Sequence, residues 1–305
     1  MTFADRLRDF PIVLEVVPPH KRASETTVRK FLRRLQDSVR SIPHLDAVNL
    51  PEILDENHVG MPFYRTMDPR RCARLLNQGA PLEPIVNKVV VHVLGQPGFE
   101  SWLKESLYGY GLRNFVLVGG ASSRVKYPGP TVAEANRRLR ELASGTDGVT
   151  IGNIAIPERP NEVERLLAKT LTGCAFFTTQ VLFEPEPIAT VLRRYGDACH
   201  FEGIEPATVL LSFAPVADYE DVEFLVWLGA TITPETEERL LPLKGEAGGA
   251  SLEVARSIWI RVRDAVAETS HPVPLGVNIE EISTHNFDLA VEMAKEFPAW
   301  RDAEA

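Results

Sequence analysis

Glu15 stands inside an otherwise apolar run, Ile12–Val17, which Pro18 and Pro19 bring to a stop. A carboxylate in a buried strand carries a heavy desolvation cost unless it is neutral or paired. Burial raises its pKa, the usual way to make an acid that donates protons near neutrality. The bland alternative is a structural glutamate paired with a Lys or Arg. Gln180 likewise interrupts an apolar run, Ala175–Phe183. Its amide offers one donor and one acceptor edge, suited to a flat heterocycle or to a strand-end backbone. His92 follows Val89–Val91, and Gly119-Gly120-Ala121-Ser122-Ser123 allows close backbone approach to a ligand or simply a tight turn. Metal and hydrolase chemistry lack their signatures. The seven histidines show no HxxxH or HExxH spacing, and Asp55-Glu56 before His58 is the nearest approach to a ligand set. No GxSxG elbow or Walker loop occurs.

The elements that must hold these groups are short β-branched runs alternating with helical patterns. Strands are expected at 12–17, 47–50, within 84–94, and at 114–120, 149–156, 175–183, 208–216 and 273–279. Helical stripes fall at 24–39, around 69–78, and at 99–110, from Thr131, 161–171, from 187, 251–266 and 287–297. Thr131 and Glu134 have capping-box spacing. Eight strand–helix units without hairpin signals imply a parallel sheet, and eight is the number that closes a (β/α)8 TIM barrel. An open dinucleotide-binding sheet would need a GxGxxG turn after a strand, and Gly109-Tyr110-Gly111 is not one. Residues 1–305 therefore read as a single barrel domain, with 243–250 as a loop-like insertion. In such a barrel the chemistry sits at the C-terminal strand ends. That rule adds Asn49, Glu52, Asn153, Thr179, Ser212, Asn278 and Glu280 to the candidates.

The formal net charge of −9 repels phosphate backbones, which argues against nucleic-acid partners. The basic runs at 29–34 and 137–140 lie on helical patterns and read as solvated faces. Three widely spaced cysteines, Cys72, Cys174 and Cys199, without a CxxC pattern suit reduced thiols. Charges throughout the first thirty residues argue against a signal peptide. No apolar stretch approaches the ~20 residues of a spanning helix. The expectation is a cytoplasmic protein acting on a small molecule, away from membranes.

Four segments, in order, resemble the methylenetetrahydrofolate reductase family. Leu14-Glu15-Val16-Val17-Pro18-Pro19 is similar to its F-E-F-F-P-P opening, and Thr178-Thr179-Gln180-Val181-Leu182-Phe183 to its I-T-Q-F-F-F strand. Residues 108–120 resemble the segment leading to its flavin loop, and Ser212-Phe213-Ala214-Pro215-Val216 its G-I-M-P-V. His92 aligns with a histidine that contacts flavin in the family. The resemblance implies a carboxylic acid at Glu15 driving folate chemistry, Gln180 binding the pterin and Phe213 near the substrate. Asn49, Glu52 and Asn278 join them as substrate-binding candidates.

Departures cluster on the flavin side. The family's R-G-D is here Gly119-Gly120-Ala121, its A-Y-P-E-x-H-P-E segment is 153–160 without Tyr or His, and its N-V-T-W-G-A segment is 48–52. That selective loss resembles flavin-independent, actinobacterial-type members, in which hydride passes directly from nicotinamide to folate. His92, Gly119, Gly120, Ser122 and Asn153 are then the candidates for holding NADH, with NADPH as the alternative and FAD expected to be absent. The implied reaction is 5,10-methylenetetrahydrofolate to 5-methyltetrahydrofolate, with Glu15 as acid at N10. Rival readings are an FAD-dependent reductase, a non-catalytic folate-binding barrel, and a barrel lyase or aldolase, although no inward Lys closes a strand as a Schiff base would require.

Overall fold

The apolar runs become strands because each is buried on both faces, as parallel sheets demand. In the computed structural model, which describes residues 2–57, 61–79, 82–121, 125–241, 247–283 and 285–302, ten strands form. Eight close a parallel barrel: β1 (Ile12–Glu15), β2 (Ala47–Leu50), β5 (Glu83–Val89), β6 (Asn114–Val118), β7 (Thr150–Ala155), β8 (Phe176–Val181), β9 (Thr208–Phe213) and β10 (Leu275–Glu280). They run in chain order around the barrel, and β10 closes on β1 with Glu15 opposite Glu280. β3 (Leu54–Glu56) and β4 (Pro62–Tyr64) form a small antiparallel hairpin after β2. The pattern reading did not contain this hairpin, because three-residue strands are too short to show a period.

Helices wrap the barrel: α2 (Glu25–Ser41), α3 (Pro69–Asn77), α4 (Gly95–Lys104), α5 (Val132–Leu142), α6 (Glu162–Leu171), α7 (Pro185–Phe201), α8 (Tyr219–Trp227), α9 (Pro234–Leu240), α10 (Ala247–Ala267) and α11 (Phe287–Asp302). α5 begins at the anticipated capping box, Thr131 with Glu134. Residues 247–250, expected in a loop, form the first turn of α10, while 242–246 lie outside the described residues. α8 and α9 were not anticipated; both are short, and α8 carries apolar residues on its exposed side.

A short helix, α1 (Phe3–Arg6), stops the N-terminal end of the barrel. Phe3 and Leu7 pack with Val13, Ala47, Ile85, Val116, Phe176 and Leu210 into an inner core. Phe3 meets Phe176 edge-on, with ring centroids 5.3 Å apart. Gly152 makes room for that layer, since a Cβ there would lie 2.4 Å from the Phe176 ring. The larger core lies between strands and helices, so alternate strand residues face either the barrel axis or the helix layer. That alternation decides which polar groups reach the mouth. Among the described residues, no helix is long and apolar enough to cross a membrane.

Candidate active site at the barrel mouth

Val13 faces the barrel axis, so Glu15, two residues on, faces it too, at the C-terminal end of β1. The same count from Ala47 turns Asn49 inward, and from Leu210 turns Ser212 inward. Asn278 and Glu280 follow on β10. These five residues come together. Glu15 Oε2 accepts from Asn49 Nδ2 at 2.5 Å and from Asn278 Nδ2 at 3.0 Å. The same Asn278 nitrogen lies 3.1 Å from Glu280 Oε1 and 3.2 Å from Ser212 Oγ. Two carboxyls thus meet around one amide, on neighbouring strands and in direct register.

Neither carboxyl has a cation among these partners. Burial at the strand ends pushes Glu15 up to about 7, with the amide hydrogen bonds from Asn278 and Asn49 pulling back. Glu280 is held well above the ordinary carboxylate range, first by burial and then by repulsion from Glu15. Like charges this close cannot both ionise cheaply, so the pair retains a proton at neutrality. Three buried amide oxygens, Asn49 Oδ1, Asn87 Oδ1 and Asn278 Oδ1, have no hydrogen-bond partner among the described residues. Unmatched buried acceptors are uncommon and mark places where donors of a ligand or water fit.

Gln180, half-buried at the end of β8, donates its Nε2 to Leu228 O just beyond α8 at 2.8 Å. That bond spends one donor on the protein and fixes the side chain at the rim.

A cavity of ≈ 1070 Å³ opens over the ends of β5, β6 and β7, on the same face of the barrel but not lined by these groups. Val89, Val118 and Ile154 line it together with Gly119 and Gly120, and Arg159, Arg165 and Lys169 supply positive charge. Gly120 owes its lack of a side chain to the Tyr127 ring, which a Cβ would meet at 2.3 Å. Ser122 lies outside the described residues.

Four sequence candidates are turned elsewhere or already held by protein partners. Phe213 faces the helix layer, against Phe297 at 5.4 Å between centroids, so it cannot touch a ligand at the mouth. Asn153 is fully buried on the outer side of β7, where it exchanges hydrogen bonds with Asn136 on α5 and donates to Leu117 O. Strand alternation explains both: each is one residue out of phase with the mouth. His92 sits in a 3-10 turn after β5 rather than in the strand. Its side chain is 1% exposed, with Nε2 2.8 Å from Glu56 Oε1 and the Tyr127 ring edge-on. Glu52 lines the cavity but is committed to Lys88, at 2.6 Å, and to the Val89 N–H at 2.9 Å. A buried carboxylate held by a lysine and a backbone donor is a structural group.

In the sequence Glu280 stands out only as a strand-end polar group, with no role attached to it. The signal lay in Asn278-Ile279-Glu280, whose alternation matches that of an inward Asn278. The Tyr127–Glu56–His92 cluster left no trace in the pattern, because the hairpin carrying Glu56 is set by tertiary packing.

No family model and no curated protein matches this chain. Among solved structures, it resembles an uncharacterized protein from Clostridium thermocellum that binds two copies of 5-methyl-5,6,7,8-tetrahydrofolic acid. The TM-score is 0.78 at 17% identity, over 97% of this chain and 99% of that one. QR15, an aldolase, superposes more loosely, with a TM-score of 0.46 at 13% identity over 97% of each chain. At these identities the likeness is one of fold, and the chain is a single-domain (β/α)8 TIM barrel.

Proposed function

We propose that the chain binds a reduced folate at the barrel mouth and reduces its 5,10-methylene group to a methyl, with NAD(P)H as the direct hydride source. The single observation that carries this reading is the proton-retaining pair of Glu15 and Glu280 where a barrel enzyme keeps its chemistry. A methylene bridged between N5 and N10 accepts hydride poorly until the five-membered ring opens. Glu15 donates its proton to N10, the C–N10 bond breaks, and the exposed N5 iminium becomes the acceptor. Glu280 raises the cost of a second negative charge nearby and so keeps the acid charged with its proton. Asn49 and Asn278 hold the Glu15 carboxyl in place, and their free amide oxygens suit a pterin, whose edge is rich in N–H donors. The description of the Clostridium protein as a binder of methyltetrahydrofolate supports the ligand class.

The nicotinamide, when bound, supplies the hydride. Residues here fit such a group: the ≈ 1070 Å³ cavity has an apolar floor for a ring, and Arg159 and Arg165 can meet a pyrophosphate. Flavin fits less well. His92, the flavin contact implied by the family resemblance, is covered by Glu56 and Tyr127, and Asn153 faces away.

The test is NAD(P)H consumption by purified protein with methylenetetrahydrofolate, with and without added FAD. Oxidation that requires the folate, needs no FAD and drops by two to four orders of magnitude in Glu15→Gln is the expected result, the range usual for acid catalysis. Near-normal turnover in that variant would remove Glu15 from the mechanism. A second reading is a non-catalytic folate-binding barrel, which binding of methyltetrahydrofolate by the Clostridium protein supports equally. That reading predicts folate binding with no nicotinamide consumption under any condition.

A further inference from the structure

The two strands that carry the carboxyl pair also frame a second cavity. Immediately after Glu15 and Glu280, the β1–α2 and β10–α11 connections part around ≈ 640 Å³. This is within the ordinary range for a small-molecule site. Pro18, Phe31, Ile282 and Phe287 give it apolar walls, and Lys30, Arg34 and Arg65 bring positive charge. Arg34 lies over the Phe287 ring at 4.2 Å and pairs with Asp288 at 2.8 Å, while Arg65 pairs with Asp55. Lys30 has no such partner among the described residues.

One polar group is buried in this apolar setting. Glu281 is 8% exposed, and its Oε2 accepts the Val17 N–H at 3.2 Å. Its other oxygen has no hydrogen-bond partner among the described residues, and the residue lines the cavity. Burial pushes this carboxyl up to about 7, so it can accept or donate a hydrogen bond near neutrality. The segment that carries it is preorganised. Fully buried Asn286 accepts from the Ile282 and Ser283 N–H groups, each at 3.1 Å, and donates to Pro215 O at 2.9 Å.

We propose that this cavity takes the aminobenzoyl-glutamate tail of the folate whose pterin lies over the Glu15–Glu280 pair. The inference rests on the folate reading above and deepens it. A tail leaving the pterin outward between β1 and β10 presents a planar apolar ring, then an amide, then carboxylates. The cavity offers apolar walls, then the Glu281 carboxyl, then cations, within reach of the same strand ends. The larger cavity over β5–β7 is left to the second substrate. Additional γ-linked glutamates extend the negative charge toward Lys30 and Arg34, so polyglutamylated folates are the favoured form.

The experiment titrates purified protein with 5-methyltetrahydrofolate, its triglutamate form and 6-methyltetrahydropterin, which lacks the tail. Wild type should bind the folate at least about tenfold tighter than the tail-less pterin, and the triglutamate tighter still at low salt. Lys30→Glu, an exposed change, should weaken the triglutamate about fivefold or more and leave the pterin unaffected. Thr27→Trp, which fills the cavity from α2, should reduce folate binding to the pterin level. The tail assignment is overturned if wild type does not distinguish folate from pterin. It is equally overturned if both variants bind folate as wild type does, or lose folate and pterin in parallel. If wild type binds none of the three probes, the folate reading itself fails along with the tail site.

Discussion

Replacing Glu15 with Gln tests the buried acid without any ligand. The change keeps an oxygen for the Asn49 and Asn278 amide donors and puts an NH2, which cannot lose a proton, in place of the other carboxyl oxygen. In the folded chain burial pushes Glu15 from the ordinary 4.5 up to about 7. A folded-state pKa above the unfolded one means that the native state binds more protons, so stability falls as pH rises through the interval between them. The contribution is fully present below about pH 4.5 and lost once pH passes about 7. Each unit is worth about 1.4 kcal/mol, so the wild type should lose on the order of 3 kcal/mol across this window from Glu15 alone. The Gln variant carries no such penalty. Urea unfolding of both proteins at pH 5 and pH 8 gives the difference, because titrations away from the Glu15–Glu280 pair cancel. The variant should match wild type or fall slightly below it at pH 5, and exceed it by up to about 3 kcal/mol at pH 8. A variant less stable than wild type at pH 8, or a difference that does not change with pH, would show that Glu15 is ionised and satisfied in the folded state. The acid argument would then fail.

Other perturbations separate the mouth from its scaffold. Phe213→Ala should cost about 3–5 kcal/mol in unfolding measurements by leaving a void against Phe297, yet leave the KM for folate unchanged, because the ring faces the helix layer. Lys88→Ala strands the buried Glu52 carboxylate and should cost about 3–5 kcal/mol, whereas replacing both partners with apolar residues should recover much of that loss. Asn153→Ala leaves buried Asn136 with Thr172 as its remaining side-chain partner and its Oδ1 unmatched, and should cost about 1–3 kcal/mol, with the KM for NAD(P)H unmoved.

The sequence by itself determined the barrel. Apolar strand runs closed by prolines and glycines, amphipathic stripes between them and the Thr131–Glu134 cap are local signals that tertiary contacts then reinforced. It also singled out Glu15, because a carboxylate inside an apolar strand is conspicuous wherever the strand packs. It could not determine phase. Whether Phe213 or Ser212, Asn153 or Ile154, looks into the mouth depends on a single residue of register, and both members of each pair have types that suit a site. Nor could it join Glu15 to Glu280, residues at opposite ends of the chain that become neighbours only when β10 closes on β1. The closure buries two carboxyls around one amide; that burial raises Glu15, and burial together with repulsion from Glu15 raises Glu280, an arrangement no local pattern encodes.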